Sequence, residues 1–196
     1  MEISNKNLLL IFDLDETLIH ATRDKLNRKA DFIFEGFNVY KRPNVDGFLK
    51  KCFQNYRVAI WSSADDEYVN EIVKKLIPEH HKLEFVWTRL NCSVKVVKKP
   101  ILEGFEYGGF YRENQWIKPL RRIKQKDIGM KSMIIIDDSP SKVVENKENA
   151  LIIKSYEGDE SDNELNNLYE FLNNFKGIED VRSIDKGSWK IKKEDS

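Results

Sequence analysis

Two acidic pairs stand at the ends of apolar runs, and these are the residues of the chain best placed to do chemistry. Leu8–Phe12 is an unbroken apolar run that leads straight into Asp13 and Asp15, with Thr17 two positions on. Met133–Ile136 is a second such run and ends in Asp137-Asp138. Short runs of this kind read as strands buried on both faces. Side chains alternate along a strand, so Asp13 and Asp15 are expected to leave its end on one side. Carboxylates crowded there repel one another and lose solvation, which is tolerated mainly where a cation or a reaction requires it. Two buried strands that each end in paired carboxylates point to one divalent-metal site built by both.

That constellation favours phosphoryl transfer. A phosphate monoester dianion repels an anionic nucleophile, so its site needs a divalent cation and positive donors. Magnesium prefers oxygen ligands and typically takes one or two protein carboxylates. Asp13, Asp15 and Asp138 offer the oxygens.

The elements that must position these acids alternate between strand and helix patterns. This predicts an α/β fold with a Rossmann-like, mainly parallel sheet flanked by helices, and no large cap domain. Core strands are expected at Leu8–Phe12, Arg57–Trp61, Phe85–Trp87, Ser132–Ile136 and Ala150–Ile153. Helices are expected from Pro43, over Asp65–Ile77, after Ser139 with Pro140 in the first turn, and over Glu164–Phe175, with a short one at Lys118–Lys124. Phe32–Tyr40 reads as a hairpin excursion, and Ser93–Asn114, with Pro100 and three glycines, as a loop or small β insertion. Residues 1–184 form a single domain in this reading, and 185–196 a charged, loose tail.

Composition narrows the classes. Lys plus Arg and Asp plus Glu both number 33, so no charge excess argues for nucleic acid or a membrane surface. No apolar run approaches the ~18 residues of a spanning helix. With only two cysteines, Cys52 and Cys92, no disulfide framework is implied. A cytoplasmic monomer is the expectation, with the nucleus open to it in a eukaryote.

At Asp13-Leu-Asp-Glu-Thr17 the chain resembles the haloacid-dehalogenase superfamily, and in particular its Fcp/Scp-type, NLI-interacting-factor-like phosphatases. The likeness continues through Arg42-Pro43, Trp61-Ser62-Ser63-Ala64, Trp116-Ile117-Lys118, Asp137-Asp138-Ser139-Pro140 and Glu148-Asn149-Ala150. Several motifs in order carry more weight than any one alone. The resemblance implies that Asp13 attacks phosphorus and becomes an aspartyl phosphate, while Asp15 serves as general acid and then base. It implies that Thr17 steadies the loop, that Ser62 binds the transferring oxygens, and that Lys118 neutralises phosphoryl charge. Mg²⁺ would be held by Asp13, the Asp15 carbonyl and Asp138, with Asp137 supporting nearby.

The implied activity is a Mg²⁺-dependent phosphatase acting on phosphoserine or phosphothreonine in a phosphoprotein. The short stretch between Thr17 and Asp31 leaves no room for a helical lid, so the site is open to a phosphorylated loop. Two alternatives stand beside it: a non-catalytic protein-binding scaffold of the same fold, and a phosphatase for small phosphorylated metabolites. The segments Ala21–Tyr40 and Ser93–Asn114 depart from the Scp-type pattern, so the resemblance does not extend to a choice of substrate sequence.

Overall fold

The computed structural model describes residues 6–79, 81–100, 110–124, 127–187 and 189. The middle of the expected insertion, 101–109, and positions 190–196 of the expected tail lie outside the described residues. In chain order the strands are β1 (Leu9–Phe12), β2 (Ile19–Thr22), β3 (Phe32–Phe34), β4 (Phe37–Lys41), β5 (Arg57–Trp61), β6 (Val86–Trp87), β7 (Ser93–Pro100), β8 (Phe110–Ile117), β9 (Met133–Asp137) and β10 (Ala150–Ile152). The α-helices are α1 (Val45–Asn55), α2 (Asp66–Leu76) and α3 (Glu164–Leu172).

Five strands form a parallel sheet in the order β10-β9-β1-β5-β6. The chain builds outward from β1 through β5 to β6, then returns to the other side of β1 for β9 and β10. Sheets of this kind bind ligands where the order reverses, outside the carboxyl ends of the strands. In the register, Phe12 lies opposite Ile60 on one side and Ile136 on the other. Asp13 therefore follows at the level of Asp137, and its N–H donates to the Ile136 carbonyl at 3.0 Å.

The sheet's two faces are clad differently. Leu10, Phe12, Ile60, Ile134 and Ile136 pack under all three α-helices, through residues such as Phe48, Leu49, Val69, Ile72, Leu165 and Leu168. Those side chains recur at helical spacing, which is why each segment coils and buries one stripe. Asp65 caps α2 by accepting from the Tyr68 N–H at 3.1 Å. The opposite face, from Leu9, Ile11, Ala59, Trp61 and Ile135, is covered by Cys92, Leu120, Ile123, Ile128 and Val143. These come from loops and 3-10 turns. Asp13 and Asp137 continue the alternation of Leu9, Ile11, Met133 and Ile135, so they point toward this second face.

Two small sheets hang from the core. β2, β4 and β3 form an antiparallel three-stranded sheet directly after the first acidic motif, and β7 pairs antiparallel with β8 as a ribbon. The β3–β4 hairpin matches the expected excursion at Phe32–Tyr40, and the ribbon matches the expected β insertion. β2 adds a strand that the sequence pattern did not mark.

Three expectations need correction. No α-helix follows Ser139-Pro140: residues 140–143 form turns, and a 3-10 segment at Val144–Asn149 breaks helical geometry at Asn146. Lys118–Lys124 holds a 3-10 turn only at Leu120–Arg122. Trp189, in the segment read as a loose tail, is buried and packs its ring against Phe171, with centroids 5.4 Å apart. Among the described residues no helix is long and apolar enough to cross a membrane.

Candidate active site

Asp13 sits one residue past β1 and is almost wholly buried. Two ammonium groups meet its two oxygens. Lys118 Nζ lies 2.9 Å from Oδ1 and Lys142 Nζ 2.9 Å from Oδ2. Burial alone would push this carboxyl up, but the two lysines overcome it and hold Asp13 below the ordinary range. The result is a carboxylate kept ionised inside the protein, as a nucleophile must be.

β8 delivers Lys118, which follows Ile117 and is fully buried. Its ammonium also pairs with Asp137 Oδ2 at 2.7 Å, and the other oxygen of Asp137 accepts from the Ser139 N–H at 2.9 Å. Burial pushes the Asp137 carboxyl up to about 6, with Lys118 opposing. Asn146 clasps the lysine's backbone, donating to the Lys118 carbonyl at 2.6 Å and accepting from the Leu120 N–H at 3.0 Å.

Asp15 reaches the site by a route the strand pattern did not foresee. The strand ends at Phe12, and the chain curls so that the Thr17, Leu18 and Ile19 N–H groups all point to the Leu14 carbonyl, at 3.2, 2.8 and 3.1 Å. Glu16 takes a positive φ of 59° to make this curl. Asp15 then accepts a hydrogen bond from the Tyr68 hydroxyl on α2. Burial and the Asp13 charge raise the Asp15 carboxyl, against the lowering effect of Tyr68. The two neighbouring carboxyls are thus pushed in opposite directions, Asp13 toward its ionised form and Asp15 toward its protonated form. Tyr68 in turn meets Phe34 of the small sheet, ring centroids 6.0 Å apart.

Thr17 is buried, and it is its backbone that anchors the loop. Arg42, also buried, donates to the Thr17 carbonyl at 3.0 Å and the Lys154 carbonyl at 2.8 Å, and grips Asp162 through Nε at 2.9 Å and Nη2 at 2.8 Å. The Tyr156 N–H adds a bond to the Glu16 carbonyl at 2.8 Å. Ser62 follows β5, level with the first loop, and is fully buried; its Oγ accepts from the Ala64 N–H at 3.0 Å. It does not cap α2, since Asp65 does.

A divalent cation fits this donor set. Asp13, Asp137 and Asp138 each present a carboxylate oxygen within 4.8 Å of the others. Asp137 has both oxygens engaged, by the fully buried Lys118 and by the Ser139 N–H, so the acids that would hold a cation are Asp13, by the oxygen that the part-exposed Lys142 now faces, and Asp138. Asp138 Oδ1 is buried with no hydrogen-bond partner, while Oδ2 accepts from Ser155 Oγ at 3.2 Å. An orphaned buried carboxylate oxygen facing another carboxylate is what a hard cation would satisfy. The Asp15 side chain, directed at Tyr68, is not one of that trio.

Sequence reasoning thus brought Asp13, Asp137, Asp138 and Lys118 together correctly, and missed Lys142. Its one signal was a lysine four residues after Asp138, on the segment read as a helix starting at Ser139-Pro140. Arg42 was marked only as part of a motif, and its role as a clasp depends on residues more than a hundred positions away.

Fold and family model together mark a phosphatase of the haloacid-dehalogenase type. The chain belongs to the NLI interacting factor-like phosphatase family, whose model matches residues 8–182. It is 29% identical over 194 residues to CTD nuclear envelope phosphatase 1 of Xenopus tropicalis, covering 91% of this chain and 71% of the relative. It is 26% identical over 197 residues to CTD small phosphatase-like protein 2 of Dictyostelium discoideum, covering 97% of this chain but 31% of the relative. The fold is shared with the fission yeast RNA polymerase II CTD phosphatase Fcp1 bound to beryllium fluoride. That structure aligns with a TM-score of 0.53 at 21% identity, over 90% of this chain and 44% of that one.

Proposed function

We propose that the protein is a Mg²⁺-dependent phosphoserine/threonine protein phosphatase that works through a phosphorylated Asp13. The observation that carries this reading is the buried Asp13 carboxylate, held ionised between Lys118 and Lys142 at the mouth of the central strand. Asp13 attacks phosphorus, and its new mixed anhydride keeps Lys118 within reach of the phosphoryl oxygens. Asp15, raised by burial and the Asp13 charge and aligned by Tyr68, gives its proton to the departing serine or threonine oxygen. It then takes a proton from the water that frees phosphate and restores Asp13. Ser62 stands beside the first loop to receive a transferring oxygen. Asp13 and Asp138 would hold Mg²⁺, together with the Asp15 carbonyl that the family resemblance assigns, and the ion would supply charge neutralisation for the incoming dianion.

A protein substrate is supported by the relatives' names as CTD phosphatases and by the small size of the insertion after the first motif. Among the described residues, only the small β2-β4-β3 sheet lies between the first motif and α1. The same names favour the nuclear envelope over the expected cytoplasm, which a fluorescent fusion in the native cell would test. The primary experiment is phosphate release from an aryl phosphate and from a phosphoserine peptide, with and without Mg²⁺, for wild type and Asp13→Asn. Metal-dependent turnover lost in a folded Asp13→Asn variant is the expected result. Equal turnover in the variant would end the nucleophile assignment.

A further inference from the structure

We propose that the Lys142 ammonium is a built-in competitor for the divalent cation, occupying the gap between Asp13 and Asp138 that the metal must take. The inference rests on the phosphatase reading for the identity of the cation, and on geometry for everything else.

Lys142 Nζ lies 2.9 Å from Asp13 Oδ2 and 3.8 Å from Asp138 Oδ1. These are the oxygens left over at the site. Asp13 Oδ1 faces Lys118, Asp137 is engaged on both sides, and Asp138 Oδ2 has Ser155. A single-charge ammonium and a divalent ion cannot both sit against the same pair of oxygens, because two cations at that range repel strongly in a poorly solvated site. One of them has to leave.

Only one of the two lysines is able to. Lys118 is sealed, with none of its side chain exposed, and is shared between Asp13 and Asp137. The Lys142 side chain is 24% exposed. It borders a hollow also lined by Ser63, Trp116, Ser139 and Ser141, into which a four-carbon stem can swing. Its backbone stays fixed meanwhile, because the Lys142 carbonyl accepts from the Lys118 N–H at 2.7 Å. Without either cation, Asp13 Oδ2 and Asp138 Oδ1 would confront each other as buried, unneutralised oxygens. The chain therefore carries its own counter-ion, and the concentration of free Mg²⁺ sets how many molecules exchange it.

The test uses the full chain stripped of metal and Mg²⁺ alone as the probe. By isothermal titration calorimetry, Lys142→Met should bind Mg²⁺ about tenfold more tightly than wild type. In thermal melts, Lys142→Met should unfold below wild type in chelator, yet at the same temperature once both are saturated with Mg²⁺. Lys142→Gln repeats both measurements should the methionine variant fold poorly. Unchanged or weaker Mg²⁺ binding in the variants overturns the proposal. So does a loaded variant that melts above loaded wild type, since Lys142 would then be acting beside the metal and not in its place. Mg²⁺ binding that is equal everywhere removes the Lys142 role alone, whereas binding absent from every folded protein also removes the cation from the phosphatase reading.

Discussion

The backbone N–H of Lys118 donates to the carbonyl of Lys142 across 2.7 Å, although the two residues come from different connections of the sheet. One peptide hydrogen bond therefore sets the spacing of the two ammonium groups that reach opposite oxygens of Asp13. Lys118 is the more deeply committed of the pair, because Asp13 and Asp137 both depend on it.

Replacing Lys118 with Met should thus strand two buried carboxylates. Breaking a buried ion pair in this way costs about 3–5 kcal/mol. Urea denaturation at pH 7 should show a loss of that order, partly recovered as pH falls and Asp13 and Asp137 take up protons. Turnover should vanish even in the folded fraction. A loss below about 1 kcal/mol at pH 7 would contradict the shared pairing.

Tyr68→Phe should change the pH profile and leave the fold intact. The Tyr68 hydrogen bond favours the ionised form of Asp15, so removing it raises a carboxyl that is already high. Loss of the protonated acid then occurs at higher pH, and the basic limb of kcat/KM should move upward. A phosphoserine peptide is the right probe, because an alkoxide leaving group needs the proton more than a phenolate does. A limb that stays in place would separate Tyr68 from Asp15 functionally.

Asp162→Asn should weaken the clasp on the first loop. Arg42 is fully buried in its side chain and Asp162 nearly so, and the variant leaves the guanidinium without a counter-charge, at a cost of about 3 kcal/mol. Burial opposes the Asp162 charge, but the bonds from Arg42 hold its carboxyl below the ordinary range. Its contribution is therefore complete above the unfolded carboxyl value of about 4 and is lost as pH falls through the lower folded value. Acid titration of stability should be steeper in wild type than in Asp162→Asn, and parallel curves would contradict the depressed carboxyl.

Ser62→Ala should separate two roles. Loss of the acceptor for the Ala64 N–H costs about 1–2 kcal/mol. If Ser62 also holds a transferring oxygen, kcat should fall about a hundredfold, and Ser62→Thr should restore most of it. A stability loss with unchanged kcat would leave Ser62 as a loop support only.

The sheet was legible in the sequence because β1, β5 and β9 are covered on both faces. Such strands have no polar side to interrupt the run, so Leu9–Phe12 and Met133–Ile136 declare themselves. The ribbon of β7 and β8 is the opposite case. Lys95, Lys98, Lys99 and Arg112 share it with exposed Val96, Phe110 and Tyr111, so no apolar period marks either strand. At Ser139-Pro140 local rules favour a helix start, but the Ser139 N–H turns back to Asp137 and the Lys142 carbonyl is taken by Lys118. Tertiary hydrogen bonds outweigh the local preference there. They also carry Lys142 inward, which is why its place at the site could not be read from spacing.

The Arg42 clasp bears on how the protein is made. Lys154 and Asp162, which fix the loop through Arg42, are synthesised more than 110 residues after it. Contacts so distant along the chain form late in folding. A nascent chain therefore carries Asp13 without its clasped loop until Lys154 and Asp162 have emerged.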